Sequence, residues 1–310
     1  MTTRGAVAAI DCGTNSTRLL VVGPDGRVLD RQMRITRLGQ GVDATRKLSP
    51  EAMDRTLAVL ADYRRAMDRL GVVRARLAAT SAVRDALNGD EFLKAATEVA
   101  GVTAELLGGE EEGRLSHAGA TADLPAAGGE DVVVDIGGGS TELVTYREGA
   151  VAAVSLELGC VRLSERYFHH DPPTPDEVAA TVAAIERELD RAAQAVPDLV
   201  SLPPGSRLLG LAGTVSTLSL LDQGLAEYDR SRVHGATLTL EAVERWCDTL
   251  AAETAAERVR RPGMVEGRQD VIVGGALVLR QVMRRFGFDR CVVSESDILD
   301  GLAASLQVLG

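Results

Sequence analysis

Two stretches of this sequence carry the residue types that hold phosphate. Asp11-Cys12-Gly13-Thr14-Asn15-Ser16-Thr17 and Asp135-Ile136-Gly137-Gly138-Gly139-Ser140-Thr141 share a leading aspartate, glycine, and a closing Ser-Thr. Glycine lets backbone approach a ligand, amides and hydroxyls donate to anionic oxygens, and the aspartate can hold a cation or order a water. The combination suits a phosphate with a divalent metal, although either stretch alone also reads as an ordinary hairpin turn. Two further loops could complete such a site. Gly109-Glu110-Glu111-Glu112-Gly113-Arg114-Leu115 offers carboxylates for acid–base work, and Gly210-Leu211-Ala212-Gly213-Thr214 offers another glycine turn.

The positioning elements can be read around these loops. Apolar runs flank both Asp-Gly turns, Ala6 to Ile10 and Leu19 to Val22 for the first, Val132 to Val134 and Leu143 to Tyr146 for the second. Strand, tight turn, strand is the expected geometry, so the sequence predicts a duplicated domain. A return strand follows at 27–35. Ser49-Pro50-Glu51 opens a helix with an N-cap and proline at N1, and Gly71 stops it. A strand at 74–79, a helix from Thr80-Ser81 through Ala100, and a strand at 103–107 complete an α/β pattern. After a connection at 121–130, the second half repeats the hairpin. It enters a long helix at Thr174-Pro175-Asp176-Glu177, a capping box by spacing. A strand at 207–212, helices near Leu218, at 240–260 and 267–286, a strand at 291–294 and a short final helix follow.

Composition bounds the function. With 310 residues, 45% hydrophobic and 25% charged, the chain has room for about two cored domains. Aromatics are 3%, so the core must be built from Ala, Val and Leu. No apolar run reaches the ~20 residues of a membrane span, and a cytoplasmic location is expected. Cys12, Cys160, Cys247 and Cys291 lack CxxC spacing, which argues against disulfides and zinc. His117, His169, His170 and His234 also lack metal spacing. The 34 basic and 45 acidic residues give a formal charge of −11, against general nucleic-acid binding. A phosphate site must therefore rely on local arginines, oriented amides and a metal.

Several strings together resemble the exopolyphosphatase and guanosine pentaphosphate phosphohydrolase family. They are Asp11 to Ser16, Ala79 to Ala86, Glu111 to Leu115, Asp135 to Leu143, Leu158 to Leu163, Gly213-Thr214 and Asp270 to Ala276. The resemblance covers essentially the whole chain. It implies a duplicated actin-like ATPase (ribonuclease H-like) α/β fold with two lobes and an active site in the interlobe cleft. The first lobe would span 1–123, rejoined by a C-terminal helix at 296–310, and the second 124–295. Longer members append a helical domain, which bears on chain-length preference and processivity; this sequence ends at Gly310.

Residue by residue, the resemblance makes Glu112 the general base for the attacking water, with Glu110 and Glu111 as ordinary first-turn helix charges. Asp135 and Glu142 match an acidic pair near Mg²⁺ (or Mn²⁺), with Asp11 a third carboxylate acting directly or through water. Gly137, Gly138, Gly139 and Ser140 would bind the terminal phosphoryl group, with Asn15 and Ser16 from the first lobe. Arg84 matches a phosphate contact, and Arg18, Arg114, Arg162 and Arg166 are secondary candidates. Gly213 and Thr214 lie near the nucleotide in relatives, but the turn could equally be a strand-to-helix junction. Cys160 reads as a small packing residue. The expected activity is release of orthophosphate from inorganic polyphosphate, or from guanosine pentaphosphate, by a homodimer. Rival readings are a small-molecule kinase of the same superfold and a non-catalytic nucleotide sensor or actin-like assembly protein.

Overall fold

A three-stranded meander opens each half of the chain, and a sheet grows from it in the same way twice. The computed structural model describes residues 5–147 and 150–308. The chain divides into two compact units, one ending at Gly119 and resuming at Ile298, the other Ala120–Asp297. In the first unit, β1 (Ala6–Cys12), β2 (Ser16–Val22) and β3 (Val28–Ile35) are antiparallel neighbours. β4 (Val72–Ala79) pairs with β1, and β5 (Ala104–Leu106) with β4, both in parallel, giving the order β3-β2-β1-β4-β5. Parallel neighbours need crossovers. Those are α1 (Val42–Thr45) with α2 (Pro50–Arg69), then α3 (Ser81–Asp85) with α4 (Gly89–Ala100); α5 (Gly109–Ala122) follows β5.

The second unit repeats the plan with β6 (Asp131–Ile136), β7 (Thr141–Arg147) and β8 (Ala150–Leu156). β9 (Arg207–Leu211) lies parallel to β6. β10 (Thr237–Thr239) is an added antiparallel edge strand, and it pairs with β11 (Arg290–Val293), which runs parallel to β9. Read from β8, the order β8-β7-β6-β9-β11-β10 matches the first sheet plus one strand. The helices are α6 (Cys160–Tyr167), α7 (Pro175–Ala195), α8 (Ala212–Asp222), α9 (Arg230–Val233), α10 (Leu240–Ala251), α11 (Ala255–Arg258) and α12 (Ile272–Phe286). α13 (Ile298–Val308) belongs to the first unit. This is the duplicated actin-like, ribonuclease H-like α/β fold.

Strand alternation distributes the core. On β1, Ala8, Ile10 and Cys12 join Leu60 and Tyr63 of α2 and Phe92 of α4, while Val7 and Ala9 join Leu299, Leu302 and Leu306 of α13 on the other face. A strand covered on both faces has to be apolar throughout, as the run into Ile10 is. α13 also crosses α5 at backbone distance: a Cβ on Gly301 would lie 2.1 Å from the Leu115 carbonyl oxygen. No described helix is long and apolar enough to cross a membrane.

Three expected helices differ. The one predicted to run through Ala100 is broken between α3 and α4, where Asn88 turns its side chain to the Leu48 backbone, accepting from N at 2.9 Å and donating to O at 3.0 Å. The 240–260 helix stops at Ala251 and restarts behind a capping box from Thr254 to Glu257. α12 begins at Ile272 rather than 267, after successive turns. α6, β8 and β10 were not anticipated.

Candidate active site

Each hairpin turn is closed by the same bond, Gly13 N to Ser16 O and Gly137 N to Ser140 O, both 3.0 Å. In the second unit the rest of the loop is held from one side. The N-terminus of α6 donates Cys160 N to Gly137 O (3.0 Å), and Val161 N and Arg162 N to Gly138 O (2.9 and 3.1 Å). Arg162, buried, donates Nε to Gly139 O at 2.7 Å. These peptides are trans, so carbonyl and amide of each unit point in opposite directions. The amides of Gly138, Gly139 and Ser140 are thereby turned together away from α6, as a nest suited to an anion. Gly159 makes the close approach possible, since a Cβ there would sit 2.1 Å from Gly138 O.

The first hairpin is held likewise. Gly39 N donates to Thr14 O (2.9 Å), and Thr36 N and Arg37 N donate to Asn15 O (3.1 and 2.9 Å), which turns the Asn15 and Ser16 amides outward. The Asn15 side-chain nitrogen is buried with no hydrogen-bond partner among the described residues. Such a donor calls for a ligand acceptor.

Behind the turns, charges differ. Asp135 lies directly opposite Glu142, both buried, and Glu142 accepts from the Ser155 hydroxyl at 2.6 Å. Like charges opposite each other in a sheet are unfavourable, and two hard carboxylates suit Mg²⁺. Among the described residues no three His, Cys, Asp or Glu side chains converge as a full ligand set. A cation on this pair would complete its shell with water and phosphate oxygens. At the matching place in the first unit Asp11 faces Arg18, whose Nη2 and Nε donate to Oδ2 at 2.7 and 3.0 Å.

The three consecutive glutamates separate. Glu110 and Glu111 are exposed and pair with Arg114 and Arg76, as helix-surface charges do. Glu112 is 8% exposed, because it starts the buried stripe of α5 that continues through Ser116 and Ala120. Arg84 of α3 reaches it: Nη1 donates to Glu112 Oε2 at 3.2 Å and to Leu107 O at 2.9 Å. Two sequence-predicted residues thus meet.

At the β9–α8 junction Ala212 takes φ 65°, a left-handed conformation costly for a residue with a Cβ. A Cβ on Gly213 would fall 1.8 Å from the Arg268 guanidinium carbon, so Arg268 lies flat on this glycine. Thr214 is buried with its hydroxyl against Gly275 and beside Cys160. Burial pushes the Cys160 thiol up, as expected of a packing residue. Arg114 and Arg166 are exposed helix residues.

The model of the Ppx/GppA phosphatase family matches residues 23–307. The chain belongs to this family. Exopolyphosphatase 2 of Mycobacterium tuberculosis is 43% identical over 97% of this chain and 98% of its own. A Ppx/GppA family member from Aquifex aeolicus superimposes with a TM-score of 0.80 at 33% identity, covering 99% of both chains. An exopolyphosphatase from Cytophaga hutchinsonii gives 0.89 at 25% identity over 98% of both. As a Ppx/GppA phosphatase the chain is a hydrolase. Sequence reasoning overlooked Gly159, Ser155 and Arg268 as individual residues. Gly159 stood within a quoted family string, whereas nothing local marks Ser155 or Arg268.

Proposed function

We propose that this Ppx/GppA phosphatase releases terminal orthophosphate from inorganic polyphosphate by attack of water. The observation that carries the reading is the triple amide nest at Gly138, Gly139 and Ser140, fixed by α6 and Arg162. Phosphoryl transfer has a loose transition state, so pre-aimed donors supply much of the catalysis. The nest neutralises charge on the phosphoryl oxygens, and in the first hairpin the Asn15 side-chain nitrogen and Ser16 are donors suited to phosphate. Glu112 takes the proton of the attacking water. Arg84 holds that carboxylate in place through its hydrogen bond. The water oxygen forms the new P–O bond, the bridging P–O bond breaks, and the shortened chain leaves with its electron pair. A divalent cation, Mg²⁺ or Mn²⁺, held by Asp135 and Glu142 supplies further charge neutralisation on phosphate.

The 43% identity to a mycobacterial exopolyphosphatase supports polyphosphate. Guanosine pentaphosphate ends in the same phosphoanhydride, and the residues above treat both alike. The site is assigned to a cytoplasmic homodimer on the family resemblance alone. Phosphate release is measured from short polyphosphate, long polyphosphate, guanosine pentaphosphate and ATP, with and without Mg²⁺. Polyphosphate is hydrolysed fastest, and Glu112→Gln lowers the rate by about 100- to 10,000-fold. No release from any substrate would sink the reading, and a full rate in Glu112→Gln would remove the base assignment.

A further inference from the structure

The helix that clamps the nest rests on a second layer of the same unit. α12 packs against both α6 and α8, and near its start it carries two buried glycines in succession, Gly274 and Gly275. Each seats one of the two helices. A Cβ on Gly274 would lie 3.1 Å from both Cys160 O and Ser164 Oγ of α6. A Cβ on Gly275 would lie 2.3 Å from Oγ1, 2.8 Å from Cγ2 and 3.0 Å from Cβ of Thr214, in α8. Thr214 is 2% exposed, and a side-chain hydrogen bond links it to Cys160. Cys160 in turn donates its N to Gly137 O at 3.0 Å. One line of contacts thus runs from α12 through Thr214 and Cys160 to the loop that carries the nest.

We propose that Thr214 is a positioning residue: seated on Gly275 and bonded to Cys160, it sets the height at which α6 meets the Gly137 and Gly138 carbonyls, and with it the aim of the nest. Thr214 then serves the phosphate from behind the nest, in place of the direct contact that the family resemblance implies for it. Sterics supply the reason. Threonine is β-branched and stiff at χ1, and both branches as well as its Cβ face Gly275, so no rotation of Thr214 makes room for a side chain there. Glycine lowers helix stability, and the close seating of α6 and α8 accounts for two in succession within α12. All of these residues belong to the second unit. The inference rests on the reading that the nest receives the phosphoryl group.

The test is steady-state phosphate release from short polyphosphate by the full chain, with thermal unfolding on the same samples. Thr214→Val keeps the shape and removes the hydroxyl: kcat falls about tenfold with KM within about threefold, unfolding stays cooperative, and Thr214→Ser recovers most of the loss. In Gly275→Ala a carbon–oxygen contact of about 3.4 Å requires Thr214 to move by about 1 Å, and kcat falls about 100-fold. Adding Thr214→Ala to Gly275→Ala removes the two closest contacts and recovers about tenfold of kcat, although Thr214→Ala alone lowers it. A folded Thr214→Val with wild-type kcat would overturn the proposal, as would a double variant no faster than Gly275→Ala. A rise in KM alone in Thr214→Val would put Thr214 on the substrate and overturn it too. Should Gly275→Ala not fold, Thr214→Val and Thr214→Ser still decide. A wild type that releases no phosphate from any substrate removes the underlying reading, whereas an active wild type with an indifferent Thr214→Val removes this inference alone.

Discussion

Gly159→Ala isolates the contact on which the amide nest depends. Gly159 itself is extended, with φ −119° and ψ 153°, so alanine meets no backbone strain there. What it meets is the loop. The new Cβ would lie 2.1 Å from Gly138 O, 2.2 Å from Gly138 C and 2.3 Å from Gly139 N, all backbone atoms that no side-chain rotation can move aside. An ordinary carbon–oxygen contact is about 3.4 Å, so loop and α6 must part by about 1.3 Å. That shift stretches the bonds from Cys160, Val161 and Arg162 to Gly137 and Gly138, and it displaces the three amides by a comparable distance. Overpacking of this kind costs about 1–3 kcal/mol of stability, and a misplacement near 1 Å costs about 100-fold in rate. Steady-state phosphate release from short polyphosphate, with thermal unfolding on the same samples, separates the two effects. The expected result is a kcat lower by about 100-fold in protein that still unfolds cooperatively. A Gly159→Ala protein with kcat within about twofold of wild type would show that the carbonyl clamp does not aim the nest.

Arg84→Ala should lower kcat by about tenfold or more with a smaller change in KM, because Arg84 donates to Glu112, and Arg84→Lys should recover part of it; a rise in KM alone would place Arg84 on the substrate. Glu177 tests pH linkage: the His170 hydrogen bond, with the backbone amides of Thr174 and His169, lowers its pKa to about 2. A lowered folded-state pKa stabilises above the ordinary carboxylate value and ceases to do so as pH falls toward about 2. The urea midpoint gap between wild type and Glu177→Gln should therefore hold above the ordinary carboxylate value of 4.5 and narrow below it toward pH 2, and a gap that stays constant there would disprove the linkage.

Much of the frame was legible because its signals are local. Ser49-Pro50 and Gly71 bracket α2, and the box from Thr174 to Glu177 opens α7, where both reciprocal bonds form. The Asp-Gly turns stood out because apolar runs flank them. What escaped depends on distant partners. Asn88 breaks a helix by bonding to Leu48, 40 positions away. α6 has no side-chain cap, since its first amides are satisfied by carbonyls of Gly137 and Gly138, and so it carries no N-terminal sequence signature. The Thr254 to Glu257 box was a readable signal within a stretch taken as one continuous helix.

The same contrast explains why the site residues were only half visible. Glu110, Glu111 and Glu112 are alike as letters, yet helical phase puts only Glu112 on the stripe with Ser116 and Ala120, and a carboxylate on a buried stripe breaks the pattern that folds the helix. Ala212 breaks a second rule by adopting φ 65°, next to the glycine that Arg268 covers. The Asp135–Glu142 row breaks a third, with two acids opposed in a sheet. None of these follows the local rule of its own element, and each is held by partners from elsewhere in its unit. Local rules broken at the ends of well-formed strands and helices are what a catalytic site costs a fold. The matching row of the first hairpin keeps the rule, since Arg18 stands opposite Asp11 and pairs with it.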